Sequence, residues 1–115
     1  MVDEDPAITN PEHYRVLWEN DLVRVLEYSD APGDKTSFHV HPDSVMVTLS
    51  SFERRLFLPG NERNVSLTTG EAVWLPAQRH AGENIGTTPT HTILIELKQS
   101  ADAPRDDRPL GPVVD

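Results

Sequence analysis

Two histidines one residue apart, His39 and His41, close the stretch Gly33-Asp34-Lys35-Thr36-Ser37-Phe38-His39-Val40-His41. On an extended strand alternate side chains share a face, so these imidazoles project side by side. Neutral imidazoles in that arrangement are two ligands for a divalent metal. A lone H-x-H says little, because short pairs arise by chance, and a third ligand elsewhere strengthens it. His80 is that candidate, ten residues after Gly70 in Gly70-Glu71-Ala72-Val73-Trp74-Leu75-Pro76-Ala77-Gln78-Arg79-His80, a stretch that runs on to Asn84. The competing reading makes His39 and His41 surface residues on an edge strand and His80 a loop histidine capping a backbone group. His13, beside an acidic arm, is expected to face solvent. His91 shares its strand face with Ile93, Ile95 and Leu97, which suits a histidine at the edge of a core, held by a hydrogen bond.

The elements that must position these side chains read as short strands. His13–Trp18 and Leu22–Tyr28 flank Glu19-Asn20-Asp21, a hairpin turn, since Asn and Asp tolerate turn conformations that other residues resist. Ser29–Gly33 is a breaker segment, and the histidine strand follows it. Pro42 and Asp43 interrupt the ladder before Val45–Leu49. Phe52–Leu58 ends at Pro59-Gly60-Asn61, and Asn64–Leu67 and Ala72–Leu75 are separated by Thr69-Gly70. The His80 segment leads to a turn at Gly86–Pro89, and Thr90–Lys98 is the last strand. Short strands punctuated every eight to twelve residues, with no long helical period, predict an all-β sandwich or barrel, and the period does not choose between them. Gly33 and Gly70 read as turn residues rather than chemical ones. Met46, Phe57 and Trp74 are candidates for an apolar cavity, with plain core as the alternative. Arg54 and Arg55 are either a solvated pair or an anchor for an anionic substrate, and alternation puts them on opposite faces, so at most one points inward.

The two histidine stretches together resemble the motifs of the cupin superfamily. Gly33, His39 and His41 fall on its first motif, G-x5-H-x-H-x3or4-E-x6-G. Gly70, Pro76, His80 and Asn84 fall on its second, G-x5-P-x-G-x2-H-x3-N. The glutamate of the first motif corresponds here to Val45 or Met46, its closing glycine is absent near Ser50 and Ser51, and Gln78 replaces a glycine of the second, whose loop is one residue shorter. The resemblance runs from about Tyr14 to Lys98, and small single-domain cupins are the nearest comparison. It implies a double-stranded β-helix, a jelly-roll barrel whose mouth holds the site. It also implies a divalent ion on His39, His41 and His80, whether iron(II), nickel, manganese, zinc or cobalt. Without the glutamate, Asp43 is a candidate fourth ligand, against its alternative as a turn-former after Pro42. Ser44 could place a hydroxyl or hold a water. Asn84 fixes the loop that carries His80.

Three-histidine cupins include oxygenases that cleave diketones or oxidise thiols. The resemblance therefore implies a small metal-dependent enzyme, dioxygenase-like or working by Lewis-acid chemistry on a small carbonyl compound. Glu96 and Asp43 are the only candidates for a general base, and no catalytic residue is assigned. The alternative is a non-catalytic module that binds or senses a small molecule, its metal structural or absent. The N-terminal hairpin resembles the segment through which small cupins dimerise, so a homodimer covering Trp18 or Tyr14 is expected.

Composition sets the outer bounds. At 115 residues the chain is one domain, read as an arm over 1–12, a barrel over 13–98 and a flexible tail over 99–115. The formal net charge of -9 argues against a nucleic-acid partner. Much of that acid sits in Asp3-Glu4-Asp5 and in Asp102, Asp106, Asp107 and Asp115, where solvated tails explain it. With no cysteine, disulfides, thiolate zinc sites and cysteine nucleophiles are excluded. No apolar run reaches membrane-spanning length and the acidic start lacks a signal-peptide core, so no membrane partner and a cytoplasmic location are expected.

Overall fold

The structure, a computed structural model, describes residues 4–98. A single-turn helix, α1 (Pro6–Thr9), precedes nine strands: β1 (Tyr14–Glu19), β2 (Val23–Asp30), β3 (His39–His41), β4 (Ser44–Thr48), β5 (Phe52–Leu58), β6 (Asn61–Leu67), β7 (Ala72–Leu75), β8 (Gln78–Asn84) and β9 (Thr90–Leu97). They make two sheets, ordered β1-β2-β9-β4-β7 and β3-β8-β5-β6. Every pairing between named strands is antiparallel. Side chains from both sheets line one central cavity. This is the all-β jelly roll that the motifs implied. The tail expected over 99–115 lies outside the described residues, and no helix among the described ones is long and apolar enough to cross a membrane.

The chain changes sheets where the sequence breaks. After His41, Pro42 and Asp43 end β3, and Ser44 opens β4 in the other sheet. Gly33 and Gly70 adopt φ of 90° and 87°, a region closed to most side chains, which lets the turns before β3 and β7 close. From Glu4 onward the N-terminal arm is pinned to the barrel. Asp5 caps α1 through the Ala7 amide and pairs with Arg24 on β2. The Glu4 carbonyl accepts from the Val40 amide, and buried Asn10 accepts from the Ser37 amide at 2.9 Å.

The interior is more polar than the strand pattern suggests. Tyr14, Leu26, Tyr28 and Leu94 form its apolar cluster, with Met46 and Leu75 packed against it. Among the described residues seven hydrophobic side chains are buried against thirteen polar or charged ones, so the barrel encloses a site rather than a plain core. Strand β9 shows the consequence. Thr90, Thr92, Leu94 and Glu96 face inward, while His91, Ile93, Ile95 and Leu97 lie on the outer face. The expectation that His91 sits on a core edge is thereby corrected, because hydrophobicity cannot mark the inner face when that face is built to hold polar groups. Strand β8 was not expected. Its run Gln78-Arg79-His80-Ala81-Gly82-Glu83-Asn84 has no branched residue, and pairing on both sides, to β3 and β5, makes it a strand.

Candidate metal centre

The pairing of β3 with β8 assembles the three histidines. His39 lies directly opposite His80, and His41, two residues on, shares their face. All three are buried. Their ring centroids are separated by 4.8, 4.9 and 5.1 Å. One nitrogen from each lies within 4.8 Å of the others. Some point in space therefore lies within about 2.8 Å of all three, so sub-ångström adjustments reach the 2.0–2.1 Å of a metal–imidazole bond.

Each ring is held from behind. His39 Nδ1 is 2.7 Å from the Ser37 carbonyl oxygen, His80 Nδ1 is 2.7 Å from Gln78 Oε1, and His41 Nδ1 is 3.2 Å from Glu96 Oε2. Acceptors at all three Nδ1 positions place the ring protons there and leave the Nε2 lone pairs free. The Tyr14 hydroxyl stands 3.3 Å from Nε2 of both His39 and His41. A phenol has one hydrogen to give, so it satisfies only one of those lone pairs. Protons do not fill the lone pairs of His39 and His80 near neutrality. Burial, and next the neighbouring His41, bring the His39 pKa down to about 4. Burial, then His41 and His39, bring His80 down to about 3. Converging nitrogens on oriented rings are what a divalent cation requires, so these residues fit such an ion.

The other sequence candidates separate cleanly. Asp43 is exposed and accepts from the Ala77 amide at 2.8 Å, so it is the turn-former and not a fourth ligand. Ser44 is buried, but its hydroxyl donates to the Pro42 carbonyl. Of the two residues at the glutamate position, Met46 lines the cavity, while Val45 sits on the outer face between Ile95 and Trp74. Glu96 is buried and fully engaged by His41 and Arg24, which makes it an orienting group rather than a general base. His91 bonds Glu27 at 2.8 Å on the outside of the barrel. His13 is not solvent-facing as expected: its ring packs near Tyr28, with Nδ1 3.0 Å from the Ser29 carbonyl. Asn84 ties β8 to the turn beyond it, bonding the Thr88 carbonyl and accepting from the Gly86 amide. Arg54 points inward and Arg55 outward, to Asn64. Phe57 borders a wider cavity of about 340 Å³ at the barrel mouth. Met46 and Trp74 border that cavity as well, as the sequence suggested, although the Trp74 side chain is 55% exposed on the outward face of β7.

The roles of three contributors were missed, Glu96 having been named only as a candidate general base. Tyr14 was read as a possible surface residue and is instead buried against the histidines, because β1 turns its first side chain inward opposite Tyr28. Gln78, noted only as a departure from the motif, positions His80. Glu96 positions His41. The one usable signal was Gln78-x-His80, whose i, i+2 spacing puts both side chains on one strand face once β8 is known to be a strand.

No protein-family model matches the chain, and no curated protein matches it. Solved structures do. A cupin domain from Bordetella pertussis Tohama I is 29% identical with a TM-score of 0.69, over 74% of this chain and 91% of that one. An uncharacterized conserved protein with a double-stranded beta-helix domain from Klebsiella pneumoniae is 24% identical with a TM-score of 0.59, over 73% and 74%. The polyketide cyclase RemF from Streptomyces resistomycificus is 20% identical with a TM-score of 0.56, over 73% and 63%, a likeness of fold alone.

Proposed function

This chain is a cupin by fold, and from that premise we propose that it is a small metal-dependent enzyme binding one divalent ion through Nε2 of His39, His41 and His80. The observation that carries the reading is the set of three buried imidazoles, each with Nδ1 committed to an acceptor and one nitrogen of each within 4.8 Å of the others. Imidazole donors suit iron(II), nickel, zinc and cobalt, and manganese less well, so the donor set does not select among them. Such an ion supplies Lewis acidity, or an open position for oxygen, to a small carbonyl-type substrate.

The chain's own groups define what happens around it. Burial pushes the Tyr14 phenol above its ordinary pKa, so it stays protonated and offers its hydrogen from Oη to an oxygen of the ligand. Glu96 and Gln78 hold the ring tautomers. The apolar walls from Met46, Leu56, Leu75 and Leu94 exclude water from the ligand. Elemental analysis of protein purified without chelator should find about one transition metal per chain, and His80→Ala should lose it while remaining folded. Oxygen uptake or turnover against a panel of small carbonyl compounds then separates catalysis from binding. A second reading, a non-catalytic binding or sensing module, is favoured by one observation: Glu96 and Asp43 are both engaged elsewhere, which leaves no carboxylate base at the centre.

We also propose that the protein is a homodimer, with the outer face of the five-stranded sheet as its interface. Register aligns Trp18, Val25, Ile95, Val45 and Trp74 in one row across all five strands. The two tryptophans at its ends are 53% and 55% exposed. A two-fold axis through Ile95 would lay each Trp18 over the partner's Trp74, the self-complementarity that an isologous interface needs. Light scattering should give a dimer for the parent and a monomer for Trp18→Glu with Trp74→Glu. A monomeric parent at micromolar concentration sinks the proposal.

A further inference from the structure

The cavity beside the histidines has one fixed positive charge on its wall. Among its described lining residues Arg54 is the only guanidinium, and no carboxylate faces the space. The counter-charge sits behind it. Asp30 is fully enclosed, accepts a hydrogen bond from Arg54 Nη1 and also accepts from Tyr28, from Asn84 Nδ2 at 3.0 Å and from the Thr90 amide at 3.2 Å. Nη1 further donates to Thr90 Oγ1 at 3.2 Å. Asp30 is thus spent on anchoring the guanidinium.

The opposite edge of Arg54 is uncommitted. Among the described residues Nε and Nη2 have no protein acceptor. No enclosed side-chain nitrogen or oxygen lacks a partner, so these two must touch open space, and the cavity is the space that Arg54 lines. Nε–H and one Nη2–H run parallel along a single edge of the guanidinium, the fork that a carboxylate accepts with both oxygens. The backbone has made room for it: a Cβ on Gly82 would lie 2.6 Å from Nη2, inside contact distance. The space beside the guanidinium, about 80 Å³, has room for a few non-hydrogen atoms such as those of a carboxylate and its neighbours.

We infer that the ligand of this cavity is a small carboxylate anion, gripped edge-on by Nε and Nη2 of Arg54 with its other oxygen donor turned toward the three histidines. This names the substrate class for the proposed function and rests on the metal reading only for where the second donor goes. A neutral ketone leaves this guanidinium edge without an anionic acceptor.

The test compares pyruvate with pyruvamide, close in shape and different in charge, by NMR titration of metal-free and zinc-loaded protein. Pyruvate should bind at least about tenfold more tightly than pyruvamide in both forms, as expected for charge-assisted bonds. Arg54→Met combined with Asp30→Asn removes the cation and its buried partner together, leaving neither charge stranded. That variant should lose the preference yet keep its zinc. Gly82→Ala, which retains every charge and crowds Nη2, should also weaken pyruvate while leaving zinc content unchanged, and it keeps the test decisive if the double variant does not fold. A preference for pyruvate that survives Gly82→Ala and the double variant undiminished, or no preference in the parent, overturns the inference. Failure of the parent to hold zinc while the carboxylate preference persists would instead sink the metal reading and leave this one standing.

Discussion

Glu96→Gln isolates the step from ring orientation to metal affinity. Glu96 uses both oxygens: Oε2 lies 3.2 Å from His41 Nδ1 and Oε1 accepts from Arg24 Nε at 2.8 Å. Glutamine has one acceptor oxygen to divide between two donors. Arg24 cannot change its protonation, so the oxygen stays with it and the amide NH2 turns to His41. Facing a donor, His41 Nδ1 must become an acceptor, which moves the ring proton to Nε2 and blocks the lone pair that would bind the ion. Loss of such an orienting partner weakens metal binding about 10–100-fold, or roughly 1.4–2.7 kcal/mol. Arg24 keeps its pair with Asp5, at 2.7 and 3.1 Å, so the fold should survive with about 2 kcal/mol less stability. Zinc affinity would be read by competition with a coloured chelator, and folding by circular dichroism and thermal melting. Glu27→Gln makes the same change opposite His91 on the outer face and should leave zinc affinity where it was. Should Glu96→Gln bind zinc within twofold of the parent, the tautomer argument is refuted.

Acid should destabilise the metal-free protein before its carboxylates titrate. The pKa values of His39 and His80 fall in the native state to about 4 and about 3, below about 6.5 in the unfolded chain, so the unfolded state takes up protons first. Their contribution is complete above about pH 6.5 and is lost as the pH falls from there through the native values, which melting curves between pH 7 and 4 would show; a flat profile over that range contradicts it. His91→Ala should keep the full metal content, since its ring meets only Glu27 outside the barrel, and elemental analysis checks this. Gly33→Ala should cost about 1–2 kcal/mol of stability through backbone strain alone, read as a lower melting temperature, because φ is 90° and nothing lies within 4 Å of the added carbon; unchanged melting would deny that this turn needs glycine.

The sequence by itself determined that the chain is built of short strands, where most of them break, and which three histidines converge. Those are local properties. Turn residues act over three or four positions, strand alternation has a period of two, and the glycine-histidine spacings survive as a pattern in one dimension. The pairing partner of β8 is not local, and neither is the choice of which face of β9 turns inward. Both depend on what lies across the barrel: Arg24 and His41 take up Glu96, and Arg54 meets Thr90. Only the tertiary structure could therefore bring Tyr14, 25 residues before His39, to within 3.3 Å of its ring, or show Arg54 with one edge tied to Asp30 and the other open. A polar group is stable inside a fold only when its partners arrive from other strands, and the order of residues along the chain does not say which strands those will be.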